Sequence, residues 1–213
     1  KIVLTATHTH TAPVTEEGKY AIPKDGVMQP SEYVEFLSGR LADLVVTVWT
    51  QRQPGGVSWA LGQAVVGHNR RAVYADGRAQ MYGSTSRPDF REVESGEDHG
   101  LQMLFFWDRA GRPVAAGINV ACPSQEVEGL STLNADFWHE VRRQVRAGLT
   151  NDLPLLGWPG AAGDLSPHRL YRKAAEERML QLRGLTYPQE IGRRIAREFA
   201  DLYGLARRDI RTD

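Results

Sequence analysis

Leu101-Gln102-Met103-Leu104-Phe105-Phe106-Trp107 and Pro113-Val114-Ala115-Ala116-Gly117-Ile118-Asn119-Val120-Ala121, joined by Asp108-Arg109-Ala110-Gly111-Arg112, decide the fold class. Both runs are apolar and rich in residues that suit a pleated, half-buried surface, and the five residues between them are turn formers. The pattern predicts an antiparallel hairpin. Upstream, Val57 to Val66 reads as another strand leading into His68-Asn69-Arg70-Arg71, and Asp76-Gly77 as a tight turn between short strands. Farther upstream, Ser31 caps a predicted helix from Glu32 to about Gln51. Val34, Leu37, Leu41, Leu44, Val45 and Val48 recur along it at helical spacing, and Pro54-Gly55-Gly56 closes it. Residues 11–30 hold Pro13, Gly18, Pro23, Gly26 and Pro30 and read as a long loop, while residues 1–7 read as a buried strand.

Downstream of the hairpin, residues 122–133 form a loop, and a helix starts at Asn134 or Asp136 and runs to about Leu149. A short strand, Leu153 to Trp158, meets the small-residue turn Gly160-Ala161-Ala162-Gly163. Two helices follow, from Pro167 to about Arg183 and from Pro188 to about Tyr203, with Gly204 beyond the second. Residues 84–100 read as polar loop. Helices thus alternate with strands, some of which pair as hairpins. That order predicts an α/β fold: a mixed β-sheet core with helices packed on its faces and the site in loops at strand ends.

With 213 residues and 41% hydrophobic content, the chain suits one domain over 1–213. Its formal net charge is zero, so no overall field points to nucleic acid or an anionic membrane. From His168 onward 11 Lys+Arg face 7 Asp+Glu, but Glu176, Glu177, Glu190, Glu198 and Asp201 are interleaved with the arginines, the pattern of a solvated helix surface. The single cysteine, Cys122, excludes an intrachain disulfide. No apolar run approaches the ~20 residues of a membrane span. The chain opens on Lys1-Ile2-Val3-Leu4 without an initiator Met, and reads as an excerpt of a longer protein.

Five places carry candidate chemistry. In Thr7-His8-Thr9-His10, side chains two apart on an extended chain share a side. Two such imidazoles can share a metal, can divide metal binding and substrate work between them, or can be ordinary hydrogen-bonded histidines. In Gly163-Asp164-Leu165-Ser166-Pro167, Ser166 is expected at a helix N-terminus. Free N–H groups there suit a nucleophile or an oxyanion, and Ser-Pro is also the ordinary start of a helix. Cys122-Pro123-Ser124 offers a thiolate for zinc or an inert buried thiol. Arg70 and Arg71 can hold a carbonyl or carboxylate or can lie on the surface, and Asp136 fits a helix cap as well as a site.

In this order, Thr7-His8-Thr9-His10-Thr11-Ala12-Pro13, Asn69-Arg70, Cys122-Pro123-Ser124 with Asn134-Ala135-Asp136-Phe137, and Gly163-Asp164-Leu165-Ser166-Pro167 resemble the motifs of the neutral/alkaline non-lysosomal ceramidases. The resemblance implies an N-terminal catalytic region, cut at both ends, of a zinc-dependent amidohydrolase that cleaves a ceramide-like N-acyl amide in sphingolipid metabolism. It implies a secreted or periplasmic location. It places His8 on the zinc, His10 at the scissile amide, and Arg70 with Asn69 and Asp136 on the substrate. Ser166, with Asp164 beside it, becomes either the nucleophile or a neighbour of an attacking water. The family's second zinc histidine falls on Cys122, and its glutamate and tyrosine ligands have no counterpart before Asp213. Two alternatives stay open: the same fold acting as a metal hydrolase on a non-lipid amide, ester or sugar derivative, and a non-catalytic binding module.

Overall fold

The computed structural model describes residues 2–149 and 152–212. They form two compact units, residues 12–54 and residues 1–11 with 55–213. The smaller unit is built on helix α1 (Pro30–Gln51). The cap is Gln29 rather than Ser31. Its side chain takes the N–H of Glu32, while Glu32 reaches back to the Gln29 N–H at 2.8 Å. Pro30 occupies the first helical position, where its missing N–H costs nothing.

The larger unit is organised around the predicted hairpin. Strands β1 (Gly55–Gln63), β6 (Gly100–Asp108), β7 (Pro113–Val120) and β8 (Leu155–Pro159) lie side by side in that order. The first two pairings are antiparallel and β7–β8 is parallel. The hairpin turn is held by Asp108, whose Oδ1 accepts the N–H groups of Ala110 and Arg112 at 2.8 and 2.9 Å, and by Gly111 at φ 70°. A parallel pair needs a crossover, and helix α2 (Phe137–Ala147) supplies it between β7 and β8.

Alternation along the strands sends Leu101, Met103, Phe105 and Trp107 to one face, across from Val120, Ile118 and Ala116. Helix α2 covers that face with Phe137, Trp138, Val141 and Val145. Helix α4 (Tyr187–Ala206) covers it with Ile191, Ile195, Phe199 and Leu202. Gly192 lets the two helices approach closely, since a Cβ there would meet the Glu140 Cβ at 2.8 Å. On the opposite face Trp59, Leu61 and Leu156 stay exposed.

Two small sheets complete the unit. Strands β2 (His68–Asn69) and β9 (Leu165–Ser166) pair with each other, and β3 (Arg71–Tyr74) lies between β4 (Ala79–Met81) and β5 (Phe90–Val93). Strand β5 lies inside the stretch expected to be polar loop; Phe90 and Val93 are its half-buried anchors.

Three further expectations fail. Of the buried strand expected over residues 1–7, the described residues 2–7 form none: Ile2, Val3 and Leu4 are exposed, and no strand among the described residues pairs with them. Helix α3 (Lys173–Arg183) starts six residues after Pro167, because Leu165 and Ser166 are drawn into pairing with β2. Gly204 lies within α4, not beyond it. No helix among the described residues is long and apolar enough to cross a membrane.

Candidate functional site

The segment around His8 and His10 is tied down by its threonines. The Thr7 carbonyl accepts the Ser124 N–H at 3.1 Å, and the Thr11 hydroxyl donates to the Asn134 backbone carbonyl at 3.1 Å. Both partners flank the loop that follows β7, so the segment is laid along that loop. His8 has φ 60°, a conformation costing a non-glycine residue about 1–2 kcal/mol. The histidines do come together, with ring centroids 5.2 Å apart, but through this left-handed turn and not through strand alternation.

From His10 a chain of side chains runs across the site. His10 Nδ1 meets Glu128 Oε2 at 2.6 Å, and Glu128 Oε1 meets His168 Nε2 at 3.0 Å. His168 Nδ1 faces Glu126 Oε2 at 3.4 Å. The Glu126 hydrogen bond, against the opposing effect of burial and with help from Glu128, raises the His168 pKa above its ordinary value. The His168 ring also stands edge-on to Tyr82, 5.9 Å between centroids.

Tyr82 is the second hub. Its hydroxyl accepts from Gln125 Nε2 at 2.7 Å and Arg70 at 3.2 Å, and donates to Ser166 Oγ at 3.3 Å. Ser166 Oγ accepts a further bond from the His168 backbone N–H at 3.1 Å. Tyr82 itself sits at φ 54°, held by its N–H on the Arg70 carbonyl. Such strain persists only where surrounding structure over-determines it, and it clusters at functional sites.

The expected site residues therefore divide by environment. Arg70 and Ser166 share the Tyr82 hub, and Arg70 also grips the Gly163 carbonyl at 2.8 Å. Asn69 and Asp164 are joined to each other, Nδ2 to Oδ2 at 3.0 Å, which fastens β2 to the turn after β8. Asp136 caps α2 through Phe137 N–H and holds Val127 N–H at 2.9 Å; both its oxygens serve the backbone. Ser166 lies in a strand, fully buried, and not at a helix start. Tyr82, Gln125, Glu126, Glu128 and His168 are site residues that the sequence reading missed. The only local signs were the alternation of Glu126 and Glu128 and the place of His168 two residues after Ser166. Beside His168, Glu126, Arg169, Lys173, Glu177 and Tyr187 line an open cleft of about 510 Å³.

No family model matches the sequence, and no curated protein matches it. A solved neutral ceramidase from Pseudomonas aeruginosa superposes with a TM-score of 0.56 at 16% identity, over 84% of this chain and 27% of that one. The fold is that of a neutral ceramidase segment. A ceramidase complexed with C2 gives a TM-score of 0.49 at 17% identity, over 72% of this chain and 23% of that one. The chain spans about a quarter of the length of these structures.

The residues present do not fit the zinc ligand pair that the resemblance implies. Cys122 lies in the main core with Val66 and Val120, its Sγ 3.4 Å from the Pro123 carbonyl. Burial, and then the negative charges of Asp136 and Glu126, push its thiol pKa well up. Among the described residues no three His, Cys, Asp or Glu side chains gather as a ligand set.

Proposed function

We propose that this chain forms part of the active-site region of a hydrolase that cleaves an N-acyl amide of ceramide type. One observation carries the reading. In a neutral ceramidase fold, the His8–His10 segment and Ser166 are joined through Glu128, His168 and Tyr82 into one polar network on strand-end loops. Amide hydrolysis needs a cation or donor at the carbonyl oxygen, an attacker, and a proton for the leaving amine. Arg70, half-buried and braced by Gly163 and Tyr82, supplies the first. His10 takes a proton from the attacker at Nε2 and returns it to the leaving amine. Ser166 is shut from solvent and its oxygen already accepts two bonds, so water serves as the attacker and Ser166 fixes Tyr82.

The test uses the full-length protein that carries this region, incubated with N-acyl sphingoid bases, short N-acyl amines and simple esters, with product acids read by mass spectrometry. Release of fatty acid, lost in Arg70→Ala and His10→Ala, supports the reading. Inertness toward every N-acyl substrate sinks it. The charged lining of the cleft beside His168 favours a second reading, the same hydrolysis on a polar amide or ester. Turnover of polar substrates with ceramides untouched would select it.

A further inference from the structure

Glu128 makes two contacts that neither the motifs nor the fold likeness assigns. Each carboxylate oxygen takes one imidazole nitrogen, His10 Nδ1 at 2.6 Å and His168 Nε2 at 3.0 Å. We infer that Glu128 is a positioning residue shared by these two imidazoles, fixing the His10 ring and coupling it to the Tyr82–Ser166 side of the site. A carboxylate on Nδ1 selects the tautomer with the proton there and leaves Nε2 as the acceptor nitrogen. The bridge can be exact because its ends are anchored in common. Val127, between the two glutamates, donates its N–H to Asp136, and Ser124 donates to Thr7 on the histidine segment.

His168 closes the other end. It faces Glu126 and Glu128 from the loop after β7, the Tyr82 ring from beyond β4, and Arg169, Lys173, Glu177 and Tyr187 across the cleft. Both its ring nitrogens face carboxylate oxygens, which favours the protonated form of the ring.

The part of this inference that concerns turnover rests on the proposed hydrolase reading; the bridge itself does not. Side-chain nitrogen NMR of the full-length protein tests the bridge without any substrate. The expected result is a His10 proton seated on Nδ1 against Glu128, and a Glu128→Gln variant in which that preference is lost while the His168 midpoint falls. Glu126→Gln lowers the His168 midpoint and leaves the His10 tautomer in place. Unchanged His10 and His168 signals in Glu128→Gln overturn the bridge, as does a His10 tautomer that follows Glu126 instead. In a substrate assay, Glu128→Gln lowers kcat with KM little changed. A wild-type protein inert to all amides would sink the hydrolase reading and leave the NMR answer standing.

Discussion

Replacing Glu190 with glutamine removes one negative charge from the junction of α3 and α4 while keeping the shape of the side chain. Glu190 is 1% exposed. It holds Arg183 at 3.0 Å, Arg193 at 2.6 Å and Arg194 at 3.0 Å. Burial alone would raise its pKa, but hydrogen bonds and attraction from Arg193 and Arg194 outweigh that and bring it from 4.5 to about 2. A depression of that size corresponds to about 3 kcal/mol of stability. The folded-state pKa lies below the unfolded one, so this stability is fully present above pH 4.5 and is lost as the pH falls through about 2. The assay is urea unfolding followed by tryptophan fluorescence, at neutral pH and again near the acid end of that window. Glu190→Gln is expected to be about 3 kcal/mol less stable at neutral pH, and the gap to wild type is expected to shrink on acidification. A variant within about 0.5 kcal/mol of wild type at neutral pH, or a deficit that does not change with pH, would refute the ion-pair account.

Cys122 is expected to resist thiol reagents in the folded protein and to react once it is unfolded, since it is buried with a raised pKa; stoichiometric labelling under native conditions would show that its environment is misread. Cys122→Ala is expected to leave the metal content by elemental analysis unchanged, and a loss of zinc in that variant would restore the thiolate as a ligand. At Gly157 a Cβ would sit on the Trp138 indole. Gly157→Ala is therefore expected to cost about 1–3 kcal/mol in a denaturant titration, and a neutral result would mean that β8 and α2 are less closely packed. Arg70→Lys is expected to lower amide turnover nearly as far as Arg70→Ala, because a point ammonium cannot serve the Gly163 carbonyl and the Tyr82 hydroxyl together; near-wild-type rates would remove the guanidinium geometry from the mechanism.

The 101–107/113–121 hairpin, α1 and α4 were legible in sequence because their patterns are local. Alternating apolar residues demand a half-buried sheet, and a 3.6-residue stripe demands a helix. The turn at Asp108–Arg112 was legible for the same reason, since Asp108 caps its own loop. What a segment pairs with is not local. Residues 2–7 have the composition of a strand and find no ladder, whereas Leu165 and Ser166 leave an expected helix start to pair with His68 and Asn69. The site divides along the same line. The linear motifs singled out His8, His10, Arg70 and Ser166, because short segments with unusual residue types announce themselves. The residues joining them were found only in the fold. Tyr82, Glu128 and His168 come from three separate segments and lie outside the linear motifs themselves, and only the pairing of β2 with β9 and the docking of Thr7 and Thr11 on the loop after β7 bring them within hydrogen-bond reach. The thiol of Cys122 is the reverse case: in sequence it could be a metal ligand, and the core closing over it decides its protonation. Residue type is written in the chain, while dielectric, partner and distance are properties of the packed molecule.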